Sequence, residues 1–375
     1  MKTMKAFIAL LVLAPLLSST PTMAAGSTQA AGPQADATPI TRTVESLNTL
    51  NAAEQSPGDW HTECVDCPRY SSWMTDRSLR LDGERHPHIA YGGDHLYYAR
   101  NDGAQWRYET VDESSKVGKH ASLALDGAGR PHISYYDEAN EDLKYAWHDG
   151  TVWHTETVDS AGIVGWDTSL ALDGSGRPHI SYYDSANGDL KYAWRDGTAW
   201  RIETVDSEGG VGRETSLALD GAGRAHISYL DTTHGDLKYA WYDETTWRIE
   251  TVDSQGWISF DTSLALSGLG RPCISYFDAS SGDLRYARYD GAEWQTEVID
   301  SATVANNGHA SLALDGDNWP HVSYYDNIDH DLKYAWRDGS GWQISMVDGT
   351  GSVGAYSSLA LDEAGQPHIS YFDWE

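Results

Sequence analysis

The chain has 375 residues, 56 of them acidic and 26 basic, for a formal net charge of −30. A field of that sign repels nucleic acid and anionic membranes, so neither is an expected partner, whereas solubility, cations and neutral ligands suit it. Aromatic character comes from 16 Trp and 22 Tyr against only 4 Phe, and 36 Gly accompany them, a composition of short strands and tight turns rather than helices.

At the start, Lys2 and Lys5 precede an apolar run over residues 6–17 and a small-residue region at Ala24 and Ala25. The run is shorter than the roughly 20 residues of a membrane span, so residues 1–25 read as a secretory signal peptide. The mature protein is expected to be secreted or periplasmic, without a membrane span, and monomeric. Residues 26–59, rich in Ala, Thr, Ser, Gln and Pro, read as a flexible leader. Next comes "HTECVDCPRY", with Cys64 and Cys67. A lone C-x-x-C is weak evidence for zinc, so a local disulfide is the plainer reading. Cys273 replaces a His that recurs elsewhere and reads as a buried free thiol.

From residue 60 to 375 a repeat dominates. The anchor "SLALD", or a variant of it, begins at Ser78, Ser122, Ser169, Ser216, Ser263, Ser311 and Ser358, with successive spacings of 44, 47, 47, 47, 48 and 47 residues. Such periods mark propeller blades of four strands. In one copy, Leu123 and Leu125 alternate with polar or small neighbours, and "DGAGR" supplies a turn. Ile133 and Tyr135 then share one face of "PHISYYD", and Leu143, Tyr145 and Trp147 alternate along "DLKYAW". Asp149 and Gly150 make a hairpin turn into "WHTETVD". "DWHTECVD" (59–66) matches a fourth strand yet precedes the first anchor, and residues 358–375 supply only strands one and two. The fold class is therefore all-β, a seven-bladed β-propeller of four-stranded antiparallel blades, its ring closed by a blade shared between the N- and C-terminal segments. No "DLKYA" strand stands in the split blade. Either that blade has three strands, or leader residues such as "TRTVES" complete it.

The layout resembles secreted sialidase-like and NHL-type propellers, whose strand pairs also read "AxD..G..hhxYxD". Sialidase-like blades carry Ser-x-Asp-x-Gly-x-x-Trp between strands three and four; here that turn reads "RDGTAW" (195–200), with Asp196 and Gly197 but no Ser. The resemblance also implies three arginines converging on a carboxylate. Arg130, Arg177, Arg224 and Arg271 instead recur once per blade and read as blade-surface residues. The resemblance lends fold rather than activity.

Loops at the tunnel mouth contain "VDSxGxVGxxTS" and "YYDxxxxDL". Their recurring carboxylates, such as Asp137, Asp142 and Asp159, are expected to cap turns. The strand-two histidines, His88, His132, His179, His226, His321 and His368, lie one per blade, too far apart to share a metal, and are expected to hydrogen-bond structurally. Trp106, Trp153, Trp200, Trp247, Trp294 and Trp342 are expected to pack. More informative are the residues that break the repeat. Two positions before each anchor stand Asp76, His120, Asp167, Glu214, Asp261, His309 and Tyr356, all polar or ionisable and facing a common axis in a closed ring. Crowded carboxylates raise one another's pKa, so Asp167, Glu214 and Asp261 are the candidate acid–base residues. Asp76, His120, Asp167, Glu214, Asp261 and His309 could instead hold a divalent cation, Ca²⁺ if oxygen ligands dominate, Zn²⁺ or Mn²⁺ if the histidines join, although no cofactor is required. One position earlier, Trp166 and Phe260 offer stacking surfaces, and Lys119 and Arg213 offer donors. The functional expectation is a binding protein, lectin-like or otherwise recognising an extracellular ligand. The alternatives are a glycoside hydrolase or lyase using the mouth residues, and a protein-interaction scaffold.

Overall fold

The computed structural model describes residues 7–13 as backbone, and residues 60–66, 74–258, 260–301 and 308–373 in full. The leader at 26–59 lies outside the described residues, as does Cys67. Six four-stranded antiparallel blades are each one contiguous stretch of chain. Blade 1 runs Leu79–Leu81, Pro87–Gly92, Leu96–Asn101 and Trp106–Asp112. Blade 2 runs Val117–Leu125, Pro131–Asp137, Asp142–His148 and Trp153–Asp159. Blades 3 to 6 repeat the plan from Val164, Val211, Ser263 and Ala310. A further four-stranded sheet is composite, ordered Val353–Leu361, Pro367–Asp373, Phe7–Leu13, Trp60–Cys64. No helix among the described residues is long and apolar enough to cross a membrane.

The composite sheet corrects the expectation of a blade with three strands or one completed by "TRTVES". Its third strand is Phe7–Leu13, drawn from the segment read as a signal peptide, paired antiparallel with Pro367–Asp373 on one side and Trp60–Cys64 on the other. An interior blade strand is flanked on both faces by neighbouring blades.

The repeat's letters now acquire physical reasons. Each second strand is buried along its whole length, as Pro131–Asp137 shows, because both its faces meet other blades. The blade cores are the alternating Leu, Ile, Val and Ala of the first three strands, with one large Tyr per second strand fully buried. Each Tyr hydroxyl needs a partner there. Tyr135 donates to Asp112 at the end of the previous blade (2.7 Å), where Lys144 also binds (2.6 Å). The same bond joins Tyr182 to Asp159, Tyr229 to Asp206 and Tyr276 to Asp253, and Tyr91 makes it to Asp66 beside the composite sheet.

Nearer the axis, the anchor Ser binds blade to blade. Ser122 Oγ accepts the N–H of Leu170, Ser169 that of Leu217, Ser216 that of Leu264, Ser263 that of Leu312 and Ser311 that of Leu359, each at 3.0 Å. Ser358 of the composite sheet accepts the N–H of Leu79 in blade 1, also at 3.0 Å. Five of the six strand-two histidines behave as expected: Nδ1 of His88, His132, His179, His226 and His321 binds the hydroxyl of Tyr98, Tyr145, Tyr192, Tyr239 and Tyr334 in the adjoining strand, whereas His368 Nδ1 is buried without a hydrogen-bond partner. Cys273 is free and buried, and Cys64 is disulfide-bonded.

Candidate functional site

Two places gather side chains that could act on a ligand. The first is the tunnel mouth. In blades 2, 3 and 4 and in the composite sheet, the innermost strand breaks register just before its anchor Ser. His120, Asp167, Glu214 and Tyr356 sit in those bulges with φ of +54°, +51°, +51° and +54°. Left-handed backbone is unfavourable for residues with a Cβ and persists only where surrounding bonds fix it. Here the bulge turns the side chain toward the axis. All seven positions read from the sequence, Asp76, His120, Asp167, Glu214, Asp261, His309 and Tyr356, line one cavity of about 130 Å³, together with Met74, Thr75, Thr168, Thr215 and Thr262.

Beneath the mouth, the segment bearing Asp76 and Arg77 crosses the tunnel. Asp76 Oδ2 accepts from Ser216 Oγ (3.1 Å) and Ser263 Oγ (2.8 Å), and its main-chain oxygen accepts from Ser311 and Ser358 Oγ at 2.8 Å each. The Arg77 guanidinium donates to Ser216 Oγ (3.2 Å) and to the Leu264 carbonyl (2.5 Å). Burial lowers the pKa of Arg77, which Asp76 opposes, and brings Arg80 down to about 9 with Arg77 repelling it. The mouth is thus a cup with a cationic floor.

Around the cup runs one arc. His120 Nδ1 lies 3.1 Å from Asp167 Oδ1. Asp167 Oδ2 accepts the Glu214 N–H at 3.1 Å, the Glu214 carboxyl shares a hydrogen bond with Asp261, and Asp261 Oδ2 lies 3.0 Å from His309 Nδ1. Burial, with the charges of Asp167 and Asp261, pushes Glu214 well above the usual carboxyl range. Burial also raises Asp261, to about 7, with Asp76 and Asp167 adding repulsion. For Asp167 burial works the same way, but the His120 hydrogen bond and charge, the Glu214 N–H and Arg213 outweigh it and hold the carboxyl below the usual range. Burial drops His309 to about 4, so it is neutral. Neighbouring carboxyls whose pKa values are pushed apart make an acid–base arrangement. Among the described residues no group of three or more His, Cys, Asp or Glu is placed to hold a metal ion.

The four neighbours expected to recognise a ligand do not line the cup. Lys119 pairs with Glu138 at 2.8 Å. Arg213 lies over the rings of Tyr183 and Trp166, and Trp166 packs against His120 and Tyr136. Phe260 packs against the core of blades 5 and 6. The residue after Lys119, Trp166 and Arg213 is left-handed and bulged, whereas at Phe260 the left-handed residue is Phe260 itself.

The second place lies in the seams between blades, among the turns joining strand one to two and three to four, where the sequence leads one to expect packing from the recurring Trp and a blade-surface position for Arg130, Arg224 and Arg271. One groove, of about 220 Å³, is lined by Tyr98, Arg100 and Glu109 of blade 1 and by Arg130, His148, Gly150 and Trp153 of blade 2. Its counterpart between blades 3 and 4, about 410 Å³, has Tyr192, Trp194 and Glu203 against Arg224 and Tyr242. A third, between blades 4 and 5, about 290 Å³, has Tyr239, Trp241 and Glu250 against Arg271, Tyr289 and Gly291. In each seam the Trp of the later blade stands edge-on to the Tyr and donates its indole N–H to the Glu: Trp153 to Glu109, Trp247 to Glu203 and Trp294 to Glu250, at 2.7 to 2.9 Å. A carboxylate accepts several hydrogen bonds, so each retains acceptor capacity. Tyr192 stacks on Trp194 and Tyr239 on Trp241, ring centroids 5.5 and 5.4 Å apart.

One position at the seam varies from blade to blade. His148, Tyr242 and Tyr289 leave these grooves, but blade 3 has Arg195 there, which lies over Trp147 and pairs with Glu156 at 3.1 Å. Blade 6 has Arg337, which pairs with Glu297 at 3.1 Å. The sequence held a signal for this in Glu109 and Trp153, Glu203 and Trp247, and Glu250 and Trp294, each pair separated by the same 44 residues.

No protein-family model matches the chain, and no curated protein matches it. Among solved structures it is similar to an ulvan lyase from a family of polysaccharide lyases, bound to -[GlcA(1-4)Rha3S]-, at 13% identity and TM-score 0.50 over 74% of this chain and 81% of that one. A putative 6-phosphogluconolactonase from Bacteroides uniformis superposes at 8% identity and TM-score 0.50, covering 77% of this chain and 87% of that one. A microbial sialidase matches at 11% identity and TM-score 0.47 over 75% and 74%. At these identities the likeness to the lyase and to the lactonase bears on the fold alone, an all-β propeller of four-stranded antiparallel blades, and on no activity.

Proposed function

We propose that the protein is an exported, glycan-binding β-propeller, its composite sheet serving as the seventh blade of a closed ring and its inter-blade grooves taking sugar rings. The observation that carries this reading is recurrence: the same Tyr, Trp or Arg, Glu and Arg surround grooves of about 220, 410 and 290 Å³ in three seams. Aromatic faces stack on the apolar side of a pyranose, while a carboxylate and a guanidinium address its hydroxyls. Weak sites presented several to a chain gain by avidity on a polymeric ligand. The ulvan lyase to which this chain is similar was solved with an acidic saccharide; the formal charge of −30 points this chain to neutral glycans instead. The test is a glycan array followed by titration calorimetry. Saturable binding of a neutral glycan with more than one site per chain supports the reading, and a blank array with a folded sample overturns it for the glycans tried.

A second reading, hydrolysis or lysis of a glycan at the mouth, is favoured by two adjoining carboxyls at one cavity, Glu214 raised above the usual range and Asp167 held below it, with the Glu214 N–H bound to Asp167 Oδ2. There Glu214 would serve as the acid and Asp167 as the base or charge stabiliser. It predicts product on the same array and its loss in Glu214→Gln.

A further inference from the structure

The third strand of the composite sheet differs from its six counterparts in how it is connected. In blade 2 the third strand, Asp142–His148, is followed by four residues and then Trp153; in the composite sheet Phe7–Leu13 is followed by residues 14–59 before Trp60. A hairpin partner normally arrives through a short turn. The register is also unlike the others. Ile133 faces Ala146, Ile180 faces Ala193 and Ile227 faces Ala240, whereas Ile369 faces Leu11. That position is fully buried Ala in every contiguous blade, at Ala99, Ala146, Ala193, Ala240, Ala287 and Ala335. A close-packed site of that size resists a larger side chain.

The chain contains a segment with the right letters at the right distance. "TLNAAEQSPGDW" (49–60) lies on "DLKYAWHDGTVW" (142–153) without a gap. Leu50 falls on Leu143, Ala53 on Ala146 and Trp60 on Trp153. Leu143 and its counterparts Leu96, Leu190, Leu237, Leu284 and Leu332 are all fully buried, as are the alanines. The four residues "SPGD" (56–59) suit a type II turn, with Pro second and Gly third. Residues 49–55 lie outside the described residues and end one such turn before the strand they would join.

We propose that in the exported chain, once the N-terminal segment has been removed, residues 49–55 dock in the slot between Trp60–Cys64 and Pro367–Asp373 that Phe7–Leu13 otherwise fills. Ala53 then faces Ile369, and the composite sheet becomes a hairpin-connected blade like the other six. Ala52 stands where the other blades have a Tyr, so the bond to His368 Nδ1, a buried atom without a hydrogen-bond partner, is absent in either arrangement.

The experiment exports the full chain, reads its N-terminus by intact mass and follows hydrogen exchange at residues 49–55. The expected result is a chain lacking residues 7–13 in which 49–55 exchange as slowly as 142–148. A processed, folded chain in which 49–55 exchange at the free-peptide rate overturns the proposal, as does an exported chain that keeps residues 7–13. As a second measurement, Ala53→Asp in the exported chain lowers the thermal midpoint by several degrees while Ala35→Asp leaves it in place. Equal midpoints for the two variants overturn the assignment.

Discussion

The tunnel mouth and the inter-blade seams are made by the same strands, yet they use the repeat in opposite ways. The mouth is built from a position that changes letter from blade to blade, from Asp76 to His120, Asp167, Glu214, Asp261, His309 and Tyr356, so it is asymmetric and self-bonded around about 130 Å³. The seams are built from letters that do not change, and one variable position, His148, Arg195, Tyr242, Tyr289 or Arg337, fills or leaves each groove. The mouth thus offers one cluster of carboxyls whose pKa values are pushed apart. The seams offer several similar cradles, which is why the binding reading rests on them.

The strongest way to break the comparison is to remove the mouth's floor. Arg77 is the buried cation that compensates Asp76 while tying blades 4 and 5 together through Ser216 and Leu264. Arg77→Ala leaves a carboxylate buried without its partner, and loss of one member of a buried pair costs roughly 3–5 kcal/mol. Urea unfolding should show a loss of that order, with glycan binding per folded molecule unchanged because the seams lie at the blade turns. If binding is lost in step with the mouth, the ligand sits there and the seams are packing.

Next in size is a pH effect. Glu214 and Asp261 have native pKa values above the unfolded range of about 4, Asp261 at about 7. Between those limits the native protein holds protons that the unfolded chain has released, so their contribution to stability is full at low pH and falls as pH rises toward 7. His309 acts in the other sense. Its native value of about 4 lies below the ordinary 6.5, so the unfolded chain binds a proton first and stability falls as pH drops through that window. Glu214→Gln keeps the hydrogen-bond capacity without the ionisation. It should raise the thermal midpoint at pH 8 more than at pH 5, by a few degrees. An equal shift at both values would mean that Glu214 is not protonated in the native state.

Much of this architecture was legible in the sequence because each blade states its own needs. The period marks the blades, the strand-two His finds its Tyr, and the Asp of "YYD" caps its turn as expected, Asp137 accepting from the N–H groups of Ala139 and Asn140. The convergence of the seven pre-anchor residues follows from ring geometry alone. Other features depend on relations between blades, which no single copy displays. The anchor Ser serves the next blade's Leu N–H, and the Trp of one copy binds the Glu of the copy before it. Simple alternation along a strand sets Lys119, Trp166, Arg213 and Phe260 beside the cup, but the left-handed residue after the first three, or at Phe260 itself, changes the direction a strand would impose. The third strand that the structure shows in the composite sheet, Phe7–Leu13, is not legible in the letters because it does not carry the "DLKYA" pattern of the contiguous blades.

A finer way to sharpen the comparison is to change how many seams are open. Tyr242→Arg puts into blade 4 the residue that fills the seam at Arg195, so titration calorimetry should count one site fewer per chain. Arg195→Tyr removes the Arg that pairs with Glu156 and should add one. Stability should move little in either direction, because the substituted side chains are partly exposed. Unchanged stoichiometry in both variants would dissociate the grooves from binding.

The smallest expected effect on stability tests the rim. Arg130 makes a two-pronged bridge to Asp126, at 2.7 Å through Nε and 2.6 Å through Nη2, but the Arg side chain is 47% exposed. Exposed pairs contribute about 0–1 kcal/mol, since water screens the charges and the long side chain loses freedom on pairing. Arg130→Ala should therefore leave urea unfolding almost unchanged. Because Arg130 also lines the groove between blades 1 and 2, the same variant should weaken the site there while the grooves at Arg224 and Arg271 keep their affinity. Arg271 is informative beside it, because Ser267 stands where the other turns have Asp, so its guanidinium has no such carboxylate and is the freest of the three to meet a hydroxyl. A variant that loses neither stability nor binding would place Arg130 among the residues that only keep an acidic surface soluble.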